Sequence, residues 1–211
     1  MLSQLRDKNT ESAEYRHFSD RIMTLLVEEA ISQDLIIERG HFSPTGSEYD
    51  HYRPSFEKNE CCGVSIIRAG DSMVGPISQL IPGIAIGKIL IQRDEETAEP
   101  VFYYTKLPNN IKKMKKVYLL DPMLATGGSA SMAVNKIIEN GVPASNITFI
   151  NLVCCPEGIA RLQRDHPDMN ILTAHVDPIL NDRKYIIPGL GDYGDRYFNS
   201  NSEWKFKTLE K

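Results

Sequence analysis

The chain has 211 residues, of which 41% are hydrophobic and 25% are charged, and its formal net charge is −4 at neutral pH. These values are typical of a water-soluble protein with one sizeable core, and the negative charge does not favour binding to nucleic acid or anionic membranes. The first ten residues are polar, and no apolar run approaches the roughly 20 residues of a membrane helix, so we expect neither a signal peptide nor a membrane span.

The first predicted elements are a helix and a long connection. Residues 14–33 have apolar side chains at helical spacing, and the predicted buried face consists of Phe18, Ile22, Leu25, Leu26 and Ala30. Residues 38–60 are polar and aperiodic, which predicts a connection without regular structure. We interpret His41 and His51 within it as solvated, because no Cys or carboxylate accompanies them at metal-ligand spacing.

A strand over residues 63–67 leads into Arg68-Ala69-Gly70, and a helix is predicted to follow as far as Leu80. An arginine at the carboxyl end of a strand, followed by small residues, can meet an anion with its planar guanidinium. A surface arginine beside a turn is the alternative. Residues 86–92 and 101–105 are predicted to form the next strands.

The central segment runs from Val117 to Gly141 and combines a strand, a Gly-rich loop and a helix. Its strand ends at Asp121-Pro122, because proline cannot donate to a sheet ladder. In the following helix the predicted buried face consists of Met132, Val134, Ile137 and Ile138. A Gly-rich loop before the first turn of a helix suits a phosphate group, and Asp121 suits ribose hydroxyls. The alternative is a sharp turn without a ligand.

Further strands at residues 147–154 and 171–175, with a helix over 156–164 between them, complete an alternating pattern that predicts an α/β parallel sheet. Four cysteines occur as the pairs Cys61-Cys62 and Cys154-Cys155 beside predicted strands. We interpret them as small core residues with reduced thiols, which favours a cytoplasmic protein. Near the end, three glycines and a proline between residues 188 and 194 suit a flat polar ligand bound by main-chain hydrogen bonds, or else a simple turn.

Four segments resemble the uracil phosphoribosyltransferases: IIRAGDSM from Ile66, RDEET from Arg93, DPMLATGGS from Asp121 and YIIPGLGDYGDRYF from Tyr185. The resemblance covers nearly the whole chain to Phe198. It implies a mostly parallel sheet flanked by helices, with a β-hairpin arm around RDEET and a C-terminal hood. It also implies a single domain over residues 1–198, with the hood at about 176–198, followed by a divergent tail at 199–211.

The resemblance implies a binding site for phosphoribosyl pyrophosphate (PRPP) with Mg²⁺ carried by that substrate and no metal bound directly by the protein. Arg68 and Arg93 would contact the diphosphate, and Asp192 would lie near both base and PRPP. Asp121 would hold the ribose hydroxyls, and Arg68, Arg93 and Asp121 would act electrostatically in catalysis. The remaining implied PRPP ligands are Pro122, Met123, Leu124, Ala125, Thr126, Gly127, Gly128 and Ser129.

Uracil would be bound by the backbone of Ile186 and Gly191, with Asp192 nearby and Tyr193 packed at the base. The implied reaction joins uracil to PRPP and gives UMP and diphosphate, in a homodimer or homotetramer that binds neither nucleic acid nor membranes. Arg21 matches one residue of the set that binds activating GTP in some members, but Ala85 stands where eukaryotic-type relatives have arginine. The competing hypothesis is a non-catalytic regulator of the same fold that binds PRPP or a nucleotide.

Overall fold

A computed structural model of the protein describes residues 1–93 and 99–200, with only the backbone at residue 93. The strands are β1 (Leu35–Phe42), β2 (Glu48–Pro54), β3 (Cys61–Ile67), β4 (Ala85–Arg93), β5 (Pro100–Lys106), β6 (Lys116–Leu120), β7 (Met123–Leu124), β8 (Ile147–Cys154), β9 (Asn170–Val176), β10 (Ile179–Leu180) and β11 (Ile186–Ile187). The helices are α1 (Leu2–Arg6), α2 (Ser12–Ser32), α3 (Val74–Leu80), α4 (Gly128–Glu139), α5 (Pro156–Asp165) and α6 (Tyr193–Phe198).

Within the described residues the central sheet contains seven strands, and it is mostly parallel, as predicted. Its order is β5-β4-β3-β6-β8, with β7 continuing beside β8 after β6, and β9 on the other side of β8. The exception is β5, which pairs antiparallel with β4 at the edge. This pair forms the base of the predicted hairpin arm, whose residues 94–98 lie outside the described part of the chain.

The middle strands are buried on both faces, because successive side chains point to opposite sides of the sheet. Along β6, Tyr118 and Leu120 enter a core formed with α1, α2, α3 and α6, whereas Val117 and Leu119 face a second core formed with α4 and α5. The four cysteines are buried and unpaired, as predicted. Burial raises the pKa of the Cys62 thiol to about 12.

The predicted connection over residues 38–60 is wrong, because β1 and β2 form an antiparallel two-stranded hairpin there. Most of its side chains are exposed, so no alternation of buried and exposed residues marks the strands in the sequence. The turn is visible in the sequence as Pro44-Thr45-Gly46, and Gly46 has the positive φ that glycine tolerates.

Two apolar residues placed on buried helix faces are exposed instead. Leu25 on α2 is 58% exposed and Ile138 on α4 is 36% exposed. On α2 the buried face includes Tyr15, Ser19 and Met23, so the polarity of the side chains did not correctly predict which face of the helix is buried. None of the helices in residues 1–93 and 99–200 combines the length and apolar character needed to cross a bilayer.

Candidate active site

A cavity of about 480 Å³ opens where β3, β4 and β6 end at the same edge of the sheet. This is the edge at which open α/β sheets hold their ligands. The described lining residues come from the strand ends, the central loop and the hood: Ile66, Ile67, Arg68, Ala69, Leu90, Ile91, Gln92, Asp121, Met123, Leu124, Ala125, Gly127, Ser129, Ala130, Asp192 and Gly194.

The central loop turns into α4 through Gly127, which has φ +77° and precedes the first helical residue. No side chain of the described residues caps this helix, so its first-turn N–H groups remain available to an anion. Of the implied PRPP ligands in this loop, the described lining of the cavity includes Met123, Leu124, Ala125, Gly127 and Ser129. The same loop contains Pro122, Thr126 and Gly128, which are not among the described lining residues.

The loop is held from behind by the start of α5. Cys155 donates from its backbone N–H to the carbonyl of Leu124 (3.1 Å) and from its thiol to the carbonyl of Ala125 (3.0 Å). Gly158 is required by this close approach, since a Cβ there would lie 2.5 Å from the Ala125 oxygen. The central loop before α4 is therefore fixed by packing in the absence of a ligand.

Arg68 lies at the end of β3 and reaches the hood. Its guanidinium donates to Asp195 Oδ1 (2.6 Å) and to Ser200 Oγ (2.9 Å), and the bond from Arg68 lowers the pKa of Asp195. Gly194 leaves room for this contact, because a Cβ there would lie 3.1 Å from the guanidinium. Arg68 thus connects the strand end with α6.

Asp71 and Lys88 were not predicted from the sequence as part of the site. Asp71 accepts from Ser65 Oγ (2.6 Å) and from Lys88 Nζ (2.7 Å), so it joins the loop after β3 to β4. Gly70 allows that loop to press against β6, since a Cβ there would lie 2.2 Å from the Leu120 oxygen. The position of Asp71 directly after Arg68-Ala69-Gly70 could have drawn attention to it, but its pairing with Lys88, 17 residues away, could not be predicted from the sequence.

Asp121 is held by its main chain at the end of β6. Its N–H donates to the carbonyl of Ile150 (3.3 Å), and its carbonyl accepts from the side-chain amide of Asn151 (3.1 Å). Its Oδ1 lies 3.4 Å from the N–H of Met123. Asp121 lines the same cavity as the Gly127 loop, and its role as an acceptor from sugar hydroxyls stays a prediction.

The hood supplies Asp192 to the cavity, but the other predicted uracil ligands are arranged differently. Asp192 also caps α6 by accepting from the N–H of Asp195 (2.9 Å). Gly191 lines a neighbouring cavity, and Ile186 is buried on β11. Tyr193, which the resemblance places at the base, has a side chain that is only 2% exposed, and its hydroxyl donates to Ser72 Oγ; its contact with uracil stays a prediction.

The hood is anchored to the first helix through a buried ion pair that sequence reasoning missed. Both terminal guanidinium nitrogens of Arg6 donate to Asp177, at 2.9 and 2.6 Å, and Asp177 also accepts from the N–H of Gly189 (2.9 Å). Burial opposes ionisation of Asp177, but these donors prevail and lower its pKa. Arg196 adds bonds to the carbonyls of Leu5 and Leu190.

Arg93 and Arg21 were both predicted to bind ligands, but neither is among the described residues that line the cavity. The side chain of Arg93 lies outside the described part of the chain, although its backbone ends β4. Arg21 is exposed on α2, and its guanidinium carbon lies 5.9 Å from the ring centre of Phe18.

Comparisons with known proteins agree on one family. The family model described as uracil phosphoribosyltransferase matches residues 1–200. The chain is similar to the uracil phosphoribosyltransferase of Dictyostelium discoideum, with 46% identity over 95% of this chain and 91% of the relative. It is also similar to that of Saccharomyces cerevisiae, with 45% identity over 92% of this chain and 88% of the relative.

A solved structure, that of the AQ2163 protein from Aquifex aeolicus, matches with a TM-score of 0.80 and 32% identity. The match covers 95% of this chain and 93% of that one.

Proposed function

Since the chain belongs to the uracil phosphoribosyltransferase family, and is accordingly a pentosyltransferase, we propose that its cavity joins uracil to PRPP and releases UMP and diphosphate. In the cell this reaction would salvage uracil as UMP. The observation that carries the proposal is the convergence of Arg68, Asp121, the Gly127 loop and Asp192 on one cavity. Arg68 would serve the diphosphate and Asp121 the ribose hydroxyls. The Gly127 loop would hold the 5′-phosphate, and Asp192 would lie near the base.

The 5′-phosphate of PRPP would bind the first turn of α4, where backbone N–H groups and the Ser129 hydroxyl would donate to it. Asp121 would accept hydrogen bonds from the ribose hydroxyls. Because its main chain is tied to β8, the carboxylate is positioned in advance, which lowers the cost of orienting the sugar.

The bond between the anomeric carbon and diphosphate would break as N1 of uracil bonds to that carbon, and the N1 proton would pass to the departing diphosphate or to solvent. Negative charge then develops on the departing diphosphate, and Arg68 would stabilise it there, assisted by Arg93. Arg68 must exchange contacts with Asp195 and Ser200 for contacts with the diphosphate, so substrate binding and hood position are coupled. The proposal contains no covalent intermediate on the protein.

Uracil would bind under the hood through the backbone of Ile186 and Gly191, with Asp192 between base and PRPP. The buried ring of Tyr193 would also fix α6, since it stacks on Tyr197 at 5.7 Å between centroids.

Mg²⁺ would enter with PRPP, and the described lining of the cavity fits this because Asp121 and Asp192 supply carboxylate oxygen atoms, which Mg²⁺ prefers. When bound, the ion neutralises diphosphate charge.

The test is diphosphate release from PRPP and Mg²⁺ with each nucleobase in turn, comparing the wild type with Asp192→Asn. Asparagine caps helices as well as aspartate does, so this variant should keep α6 while removing the charge. Release with uracil alone, strongly reduced in the variant, supports the proposal. PRPP binding by calorimetry without release for any base would favour the non-catalytic regulator, which no observation on the described residues favours.

We further propose a homodimer or homotetramer in the cytoplasm. Exposed apolar side chains on β1, β2 and β5 support self-association, among them Phe42, Tyr52, Tyr103 and Tyr104. The free buried thiols support a reducing compartment. GTP activation through Arg21 stays a sequence-based prediction. Light scattering with and without GTP would measure the oligomeric state and whether GTP changes it.

A further inference from the structure

The hairpin β1–β2 contains three metal-ligating side chains that the proposed transfer does not use. Glu38 and His51 are direct cross-strand partners, and His41 follows Glu38 by three residues. One ligand atom from each lies within 4.8 Å of the other two. No other cluster of three or more such side chains occurs within residues 1–93 and 99–200. The interpretation of the two histidines as isolated loop residues is therefore wrong.

A β-bulge explains how Glu38 and His41 come to share a face. Residues three apart on a regular strand point to opposite sides of the sheet. The register of β1 shifts between Glu38 and His41, and Gly40 within this bulge has φ +83°. Its N–H donates to Glu48 Oε1 across the hairpin (3.1 Å), which fixes the bulge.

The distances are close to those of a coordination site. Bonds of about 2.0–2.2 Å to a tetrahedral Zn²⁺ place neighbouring ligand atoms about 3.4 Å apart. His41 Nε2 lies 3.6 Å from Glu38 Oε2, and the two imidazole centroids are 4.4 Å apart. All three residues are partly exposed, so small side-chain rotations can close the widest separation.

Arg53 orients the carboxylate from the other side. Its Nε donates to Glu38 Oε1, while Oε2 is the oxygen nearest to His41. A glutamate is ionised at neutral pH, as a carboxylate that binds a metal ion must be. Hydrogen-bonded partners of this kind commonly fix ligating carboxylates, although the positive charge of Arg53 also limits affinity.

We propose that Glu38, His41 and His51 bind one divalent transition-metal ion, with Zn²⁺ as the preferred ion. Two imidazoles and one carboxylate form a ligand set that Zn²⁺ accepts, with water in the fourth position. An isolated two-stranded hairpin is marginally stable, so an ion bound by both strands would clip β1 to β2. The inference is independent of the proposed transferase reaction.

The experiment is calorimetric titration of the metal-free, full-length protein with Zn²⁺ alone. We expect one site per chain, weakened at least about tenfold by His41→Ala or His51→Ala, since even the partners of ligands contribute that much. The matched control is His17→Ala, which removes an exposed histidine on α2. Its affinity should equal that of the wild type.

Co²⁺ provides a second measurement on the unaltered protein, because its visible absorption reports the number and type of ligands. A spectrum of low-coordinate Co²⁺ without a thiolate band is expected. Zn²⁺ binding that survives both histidine substitutions, or that is lost equally in His17→Ala, would overturn the proposal. A thiolate band would do the same by assigning the ion to the cysteines.

Discussion

The ion pair between Arg6 and Asp177 gives the sharpest prediction about the hood. Asp177 is 1% exposed, and it receives two bonds from Arg6 and one from the N–H of Gly189. Asp177→Asn keeps the shape of the side chain but removes the charge and turns an amide donor toward the guanidinium. Arg6 is then left largely buried without its counter-charge.

The size of the effect follows from burial. Removing one partner of a buried pair costs about 3–5 kcal/mol, and the 21% exposure of Arg6 favours the lower end. For a domain of about 150–250 residues, 1 kcal/mol shifts Tm by roughly 2–4 °C, so a loss of about 3 kcal/mol lowers Tm by roughly 6–12 °C.

Calorimetric unfolding and urea titration would measure this loss, with Asp182→Asn as the control because Asp182 is exposed in the same part of the chain. The control should stay within about 0.5 kcal/mol of the wild type. A double-mutant cycle with Arg6→Met isolates the pair. If Asp177→Asn matched the control, the pair would not anchor the hood and our reasoning would be refuted.

The same carboxylate predicts a pH dependence of known sign. The pKa of Asp177 is lowered in the folded state, whereas an unfolded aspartate titrates near about 3.9. Its stabilisation is therefore complete above that value and is lost as pH falls through the folded pKa. The stability difference between wild type and Asp177→Asn should shrink only below about pH 4. Because His175 Nε2 lies 3.4 Å from Asp177, both proteins should carry His175→Gln.

Three further substitutions or labels examine the cavity and the core. Gly127→Ala should weaken PRPP binding and destabilise the protein by about 1–3 kcal/mol, because φ is +77° and a Cβ would lie 2.9 Å from the Gly158 oxygen. The control is Gly46→Ala, which has a similar φ but open space around the Cβ. Calorimetry should show that this control loses stability but keeps its affinity for PRPP. Arg68→Lys keeps the charge but loses the planar fork, and kcat/KM should fall about 10²–10³-fold in the diphosphate assay; an unchanged value would remove Arg68 from the transition state. Because burial raises the pKa of Cys62 to about 12, the native thiol should resist alkylation that proceeds readily in urea, as mass spectrometry would record.

The central strands and helices were predictable because their signals are local. The strand at Ile147–Cys154 has a continuous apolar run, and the structure has the same bounds. The hairpin β1–β2 was missed because its side chains bury little surface, so apolar patterning carries no information there. Likewise Leu25 was assigned to the core by its polarity, whereas the direction of α2 is set by contacts with α3 and α6.

In the candidate site, too, local features were predictable and contacts between distant parts of the sequence were not. Arg68, Asp121 and the Gly127 loop were predictable because each ends or follows a strand of a parallel sheet, and such ends meet at one edge. The environment of Tyr193 was not, because whether a tyrosine in a Gly-rich segment faces a ligand or a core depends on helices far away in sequence. Arg6 and Asp177 are 171 residues apart, and no local pattern announces their pairing.

The two halves of the cavity are held in place by different kinds of contact. The half that would hold PRPP is built from strand ends and a loop braced by α5, whereas the hood half depends on polar contacts to the start of the chain. Arg68 spans the two halves through Asp195, so a diphosphate bound by Arg68 as we propose would compete with the hood for one guanidinium. PRPP binding should therefore loosen the Arg68 contact while Arg6 keeps the hood in place. On this reasoning Arg6→Met should raise the KM for uracil more than that for PRPP, and equal changes in both would show that the two halves act as one.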